Sequence, residues 1–376
     1  MKIAIFTPLF ENMKEKFIKT IEDLIKIRSV SDKPEKLQEI IDYVKNFFFD
    51  TKEVKVKVLE KDGKFSIIAY FKEDLHPKVV LSAHLDVVDG PDYLFKPKIE
   101  GNIMYGRGVC DVKSSAVLMM HLMKEFSQKT NKPSVAVVLT TDEEIGGFNG
   151  TKYLVEEVGY RADVALIPDS GNGPDEIIIQ NKGVAHVKIK VRGKSAHGAR
   201  PWKGDNAIEN LIHVIEKIKK DFPDFKNASE NDWIETYNIG KIEGGSLYNQ
   251  VPNQALAYID FRLTDKRNAN QLILDLKKNI PDCDITLEMA ADIIYTAPEN
   301  EYVKIYADIT QKHLGIKPKM ISSSGSHDGR FWSAKGVPCI AARPKSGNQH
   351  EDGEWLDLSS LEILYNIQKE FIEKAS

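Results

Sequence analysis

Apolar residues near the start of the chain recur at helical steps. Phe17, Ile21, Leu24 and Ile25 fall three and four apart, and the same period runs through 37–48. This is the signature of two amphipathic helices, each with one buried stripe. The period then changes to two. Residues 54–59 and 65–70 alternate, with Asp62-Gly63 between them, which predicts a β-hairpin closed by a tight turn. A short apolar run at 79–83 follows. A helix is predicted after Asp111 on Ala116, Leu118, Met119, Leu122, Met123 and Phe126, then a strand at 135–139, a helix near 150–158 and a strand at 164–167. Strands alternating with helices, some of them apolar throughout, imply a largely parallel or mixed sheet covered on both faces.

A second pattern fills 183–291. Strands at 184–191, 233–242, 255–263 and 283–289 and helices at 207–220 and 269–279 give the order β-α-β-β-α-β, the ferredoxin-like split unit. Beyond it, 302–314 is helical, 337–342 is a buried-strand candidate and 359–374 closes as an amphipathic helix. No internal repeat or low-complexity tract interrupts the pattern.

Composition narrows the function classes. The 376 residues suit two domains, and a hydrophobic share of 42% excludes disorder as the main state. Lys and Arg number 52 against 56 Asp and Glu, a net charge of −4. So even a balance gives no basic face for nucleic acid or an anionic membrane. Cys110, Cys283 and Cys339 lie far apart without a CxxC pair, so neither a disulfide framework nor a cysteine zinc site is expected and a reducing cytoplasm is. The opening MKIAIFTPLF is apolar, but Pro8 and Glu11 cut it short of a signal segment, and no later run is long enough to span a membrane.

Acids and histidines cluster where strands end, the place where open α/β sheets carry their sites. In Ser82-Ala83-His84-Leu85-Asp86, the histidine and aspartate project to one side of an extended backbone. That pairing orients a metal ligand, or is a plain hydrogen-bonded strand end. Gly106-Arg107-Gly108-Val109-Cys110-Asp111 fails as a dinucleotide fingerprint, because aspartate stands where the last glycine is needed; alone, Asp111 reads equally as a helix cap. Thr141-Asp142-Glu143-Glu144 is either a solvated acidic loop or a site in which one glutamate binds metal and its neighbour acts as base. Pro168-Asp169-Ser170-Gly171 could be a turn, and Gln349-His350-Glu351-Asp352-Gly353-Glu354 a surface loop. Taken together, His84, Asp111, Glu144, Asp169 and His350 supply two imidazoles and three carboxylates, a donor set suited to two Zn²⁺ ions sharing one bridging carboxylate.

Five segments in order, SAHLDVV, YGRGVCDVKSS, TTDEEIGG, SAHGARP and HEDGE, resemble the M20 metallopeptidase and deacylase family over essentially the whole chain. That family includes glutamate carboxypeptidases, succinyl-diaminopimelate desuccinylase, acetylornithine deacetylase and aminoacylase. The resemblance implies an α/β fold: a discontinuous zinc-peptidase catalytic domain, 1–182 with 292–376, and an inserted ferredoxin-like lid and dimerisation domain at 183–291. It implies metal ligation by His84, Glu144, Asp169 and His350, a bridging Asp111, Asp86 orienting His84, and Glu143 as general base. His197 would reach the neighbouring subunit's site in a homodimer and steady the oxyanion. Asn249, Arg262, Gly325 and Ser326 would contact substrate. Two zinc ions, with Co²⁺ or Mn²⁺ as substitutes, would serve a short peptide with a free carboxylate. Aspartate rather than glutamate at 169 tilts the expectation toward that peptide. The alternatives are an N-acyl amino acid deacylase and an inactive ligand-binding homologue. Cys110 is an unusual neighbour for the bridging residue, either oxidant-sensitive or an inert buried thiol.

Overall fold

Six strands form the sheet on which the first half of the chain is built. The computed structural model describes residues 8–229 and 232–376, with the side chains of 8–12 excluded; the start of the apolar opening stretch, 1–7, lies outside the described residues. The chain divides into two units, one comprising 1–179, 295–321 and 327–376, the other 180–294 with 322–326. Gly325 and Ser326 therefore belong to the second unit, whereas the sequence boundaries put them in the first.

In the first unit the strand order is Lys55–Lys61, Lys64–Tyr70, Val135–Thr140, Val79–His84, Val164–Leu166, Cys339–Ile340. The outer hairpin is antiparallel and turns at Asp62 and Gly63, both at positive φ (48° and 72°), as a two-residue turn matching strand twist requires. The inner strands run parallel. Val79–His84 and Val135–Thr140 are buried at every position, which explains their unbroken apolar sequence. Helices Pro8–Lys26, Pro34–Phe48, Lys113–Ser127 and Ser360–Ala375 contribute to one continuous core with these strands. Phe17, Ile21, Leu24 and Ile25, the residues that set the helical period, are fully buried in it.

A smaller antiparallel sheet decides where the chain's distant parts meet. Trp355–Asp357 pairs with Ile103–Tyr105, Leu356 opposite Met104, and Ser346–Gly347 pairs with Trp355–Asp357 in turn. Leu356 and Met104 are both fully buried, so this register is anchored by packing as well as by its ladder. These strands have two or three residues each, too few for periodicity to announce them.

The second unit carries helices Ala207–Lys220 and Ala269–Asn279 and a four-stranded antiparallel sheet ordered Thr236–Gly244, Gln254–Leu263, Gly183–Arg192, Asp284–Ala291. The β-α-β-β-α-β order read from sequence is the order found. Asn206 and Asn268 cap the two helices with side-chain oxygens that accept N–H bonds from the first turn. The second strand begins at Thr236 rather than Trp233, whose indole N–H instead donates to Asp265 at 2.8 Å.

Candidate metal centre

Three adjacent parallel strands end at one edge of the large sheet and deliver three of the expected residues there. His84 closes Val79–His84, Glu143 opens the short turn after Val135–Thr140, and Asp169 follows Val164–Leu166. Asp111 stands two residues before the helix Lys113–Ser127. His350, at φ 65°, lies in the loop between Ser346–Gly347 and Trp355–Asp357, so the pairing with Ile103–Tyr105 carries it to Asp111.

Asp111 occupies the centre. Its Oδ1 lies 3.0 Å from His84 Nε2 and its Oδ2 2.9 Å from His350 Nε2. Glu144 Oε2 is 3.1 Å from His350 Nε2, and Asp169 Oδ2 is 3.8 Å from His84 Nε2. Donor atoms of His84, Glu143 and Asp169 lie within 4.8 Å of one another, as do those of Asp111, Glu144 and His350. The sequence left open which ligands share a metal; the geometry groups His84 with Asp169 and Glu144 with His350, with Asp111 touching both histidines.

Asp86 supports this arrangement in a way its sequence position did not announce. His84 Nδ1 is 2.9 Å from the Asp86 backbone carbonyl and 3.5 Å from its carboxylate, so Nδ1 carries the hydrogen and Nε2 is free to ligate. The fully buried carboxylate itself accepts from Ser31 Oγ (2.8 Å) and from the amides of Glu143 (3.2 Å) and Glu144 (3.1 Å). Gln349 donates to Asp111 Oδ2 at 2.8 Å, and Arg343 donates to Gln349 Oε1 at 3.0 Å. Gln349 lies inside a motif already singled out; Ser31 and Arg343 have no sequence signal. Cys110 is buried, and desolvation pushes its thiol up to about 11, which disfavours the reactive thiolate.

Electrostatics test whether the donor set fits cations. Burial pushes His84 down, but Asp111 and Asp86 outweigh it and hold the imidazole well above its ordinary range. Burial pushes Asp111 up, yet His84 and His350 hold it well below the carboxylate range. Glu143 and Asp169 are driven well up, first by burial and then by neighbouring acids, Asp169 and Asp111 respectively. Without cations, then, protons must neutralise a cluster of buried like charges. Nitrogen and oxygen donors at this spacing fit divalent metals well.

The remaining expected residues lie in the second unit. His197 is exposed, with Nδ1 accepting the Ala199 N–H at 3.0 Å. Asn249 is its neighbour: the Gly198 amide donates to the Asn249 carbonyl at 2.7 Å, and His197 bridges to Gln250. Arg262 has Nε and Nη2 on Asp260 Oδ2 at 3.1 and 3.0 Å, so one side of its fork is engaged within its own strand. Gly325 accepts from Asn181 Nδ2 at 3.2 Å. Ser326 adjoins it in the 322–326 segment.

The family model of peptidase family M20/M25/M40 matches residues 80–374. The chain belongs to this family. An M20-family membership makes it a hydrolytic, metal-dependent enzyme, and the sequence resemblance is thereby supported. Among curated relatives, succinyl-diaminopimelate desuccinylase of Blochmanniella floridana is 25% identical over 378 residues, 94% of this chain and 97% of that protein. The protein of the same name from Hydrogenovibrio crunogenus is 27% identical over 384 residues, 94% and 97% of the two chains. Among solved structures, a tripeptidase from Staphylococcus aureus superposes with TM-score 0.77 at 20% identity, covering 96% of this chain and 98% of that one. An M20 family metallo-carboxypeptidase from Sulfolobus solfataricus gives TM-score 0.76 at 20% identity, covering 96% and 99%. The structural likenesses establish the fold. Among the described residues no helix is long and apolar enough to cross a membrane.

The metal-free protein carries a pH signature. Hydrogen bonds that His350 donates to Asp111 and Glu144 raise it from 6.5 to about 10. A raised histidine stabilises the fold fully below its unfolded value, and this contribution fades as pH rises through the folded one. Metal-free protein is expected to lose stability from pH 6.5 toward pH 10. Urea unfolding across that range should show a shallower loss in His350→Ala; parallel curves would contradict the assignment.

Proposed function

We propose that this M20-family chain is a dinuclear metal amidohydrolase that cleaves short peptides bearing a free carboxylate, with Zn²⁺ in both positions and Co²⁺ or Mn²⁺ as substitutes. The observation that carries the two-metal reading is Asp111, one oxygen toward His84 and the other toward His350. His84 and Asp169 would hold one cation, Glu144 and His350 the other, and Asp111 both. Bound there, divalent cations supply Lewis acidity, bringing the pKa of a water toward neutrality and polarising a carbonyl oxygen.

The chain's own residues account for the proton traffic. Glu143 sits beside the His84 and Asp169 donors on a turn whose amides are pinned by Asp86. Its carboxylate takes the proton from the attacking water and returns it to the departing amine nitrogen. In the reading carried by the resemblance, His197 from a second copy donates to the tetrahedral oxyanion, and Asn249 and Arg262 contact substrate, with Gly325 and Ser326. Among the described residues Thr236–Gly244 is an edge strand of its sheet, which supports a homodimer through the second unit, because an edge strand readily adds a neighbour.

A second reading is an N-acyl amino acid deacylase, favoured by the relatives named succinyl-diaminopimelate desuccinylase. Both readings need the same amide chemistry and a carboxylate on the substrate. Aspartate at 169 supports the peptide; the relatives' names support the acyl group.

Three outcomes are expected. Glu143→Gln, assayed by metal analysis and steady-state kinetics, keeps its cations and loses ~10²-fold or more in kcat; substantial turnover at full metal occupancy would remove Glu143 from the role. On a panel of di- and tripeptides beside N-succinyl and N-acetyl amino acids, kcat/KM is highest for a peptide, and a preference for N-succinyl substrates would reverse the ranking. Finally, inactive Glu143→Gln and His197→Ala chains are expected to regain activity when their subunits exchange. No recovery despite exchange proven by mass-labelled subunits would count against action in trans.

A further inference from the structure

Glu354 ends the last sequence motif, and no role falls to it in the chemistry above. It is 1% exposed. Four residues past His350, its carboxylate accepts from three backbone amides in the turn that delivers Asp111. Oε1 takes the N–H of Gly108 (3.0 Å), Cys110 (2.9 Å) and Asp111 itself (3.2 Å), and Oε2 lies 3.0 Å from the Gly108 nitrogen. Arg107 Nη1 donates to Oε2 at 2.9 Å. Every bond is accepted and none donated, so the turn is an amide nest built around an anion. Gly108 makes the nest possible: at φ 88° a Cβ there would come 2.9 Å from Lys113 Cδ, so only glycine fits without displacing a neighbour.

The clasp is reciprocal. Arg107, from the Asp111 turn, also donates to the carbonyls of His350 and Glu351, each at 3.3 Å. One loop therefore sends a guanidinium to the other, which sends back a carboxylate. The two loops carry the central aspartate and one of the two histidines it touches, and their clasped residues are separated by 243 to 247 positions in sequence.

We propose that Glu354 is a positioning residue of the metal centre: by holding the Asp111 amide and turn, it fixes the Asp111 carboxylate between His84 and His350 and so sets the affinity of both metal positions together. This rests on the two-metal reading. Because Asp111 faces both histidines, displacing its turn disturbs both halves at once, whereas loss of an outer ligand would disturb one.

Co²⁺ titration separates the inference from the reading beneath it. Wild-type chain is expected to bind two Co²⁺ with a characteristic visible spectrum; one equivalent or none would sink the two-metal reading before any variant is made. Glu354→Gln turns an amide NH₂ toward the nest of N–H donors. It is expected to weaken both Co²⁺ positions by ~10- to 100-fold, the usual cost of losing a partner that orients metal ligands. It should also shift the Co²⁺ absorption bands and speed hydrogen exchange at 106–111 in metal-free protein. Glu125→Gln is the control for a structural carboxylate: Glu125 accepts from Tyr365 and Lys369, and its loss should lower stability while leaving affinity and spectrum intact. Wild-type affinity and spectrum in Glu354→Gln would overturn the proposal. Should that variant fail to fold, Arg107→Lys, which loses the fork to the His350 loop, decides the matter: weakened binding at both positions supports the clasp, and unchanged binding refutes it.

Discussion

The first unit is organised around a confined excess of negative charge. Asp86, Asp111 and Asp169 are buried, Glu143 and Glu144 are partly so, and all converge on two imidazoles. Like charges held this close in a poorly solvated site repel strongly unless something positive is among them. In the metal-free protein the relief comes from protons, on the two histidines and on the acids Glu143 and Asp169. A divalent cation supplies two positive charges shared by several donors at once, which is why such a cluster is costly as bare structure and well matched to metal.

Keeping the cluster assembled against that repulsion falls to groups that bind no substrate. Asp86 takes two amides and a serine hydroxyl through its carboxylate, and its carbonyl fixes the His84 tautomer. One residue thus orients both His84 and the turn that carries Glu143. Beneath the Asp111 turn, the wholly buried Lys113 spends its ammonium on the carbonyls of Leu24 and Ile27 at 2.9 and 3.0 Å. Burial pulls it down to about 7, and those carbonyls are the end of the first helix, where a cation is favoured. The scaffold around the site is therefore polar and extensively hydrogen-bonded, and it costs stability that the large apolar core elsewhere must offset.

Much of this was readable in the sequence because the elements concerned are long. Helices of fourteen residues or more and fully buried strands print their period plainly, and the candidate residues His84, Glu143 and Asp169 follow strand ends where their type stands out. The short pieces were not readable. Lys98–Glu100, Ile103–Tyr105, Ser346–Gly347 and Trp355–Asp357 are too brief for any period, yet their pairing is what brings His350 to Asp111. Ser31 and Arg343 were invisible for another reason: Asp86 lies 55 residues from Ser31 and Gln349 only six from Arg343, yet nothing local distinguishes a hydroxyl or guanidinium aimed at the site's carboxylate or amide from one facing water.

That split has a consequence for how the site comes into being. His84, Glu143 and Asp169 are placed by neighbouring strands of one sheet, so their half of the cluster forms as that sheet forms. The other half needs contacts spanning 238 to 246 residues, Gln349 on Asp111 and Glu354 on the Asp111 turn. Long-range contacts of this kind cost the chain loop entropy before they repay it. Asp111 thus joins residues carried by one sheet to residues held by distant loops. Cations that bind only the finished cluster favour the closed state by mass action, so the charge excess that makes the site costly to assemble becomes, once metal is present, the term that holds the distant segments together.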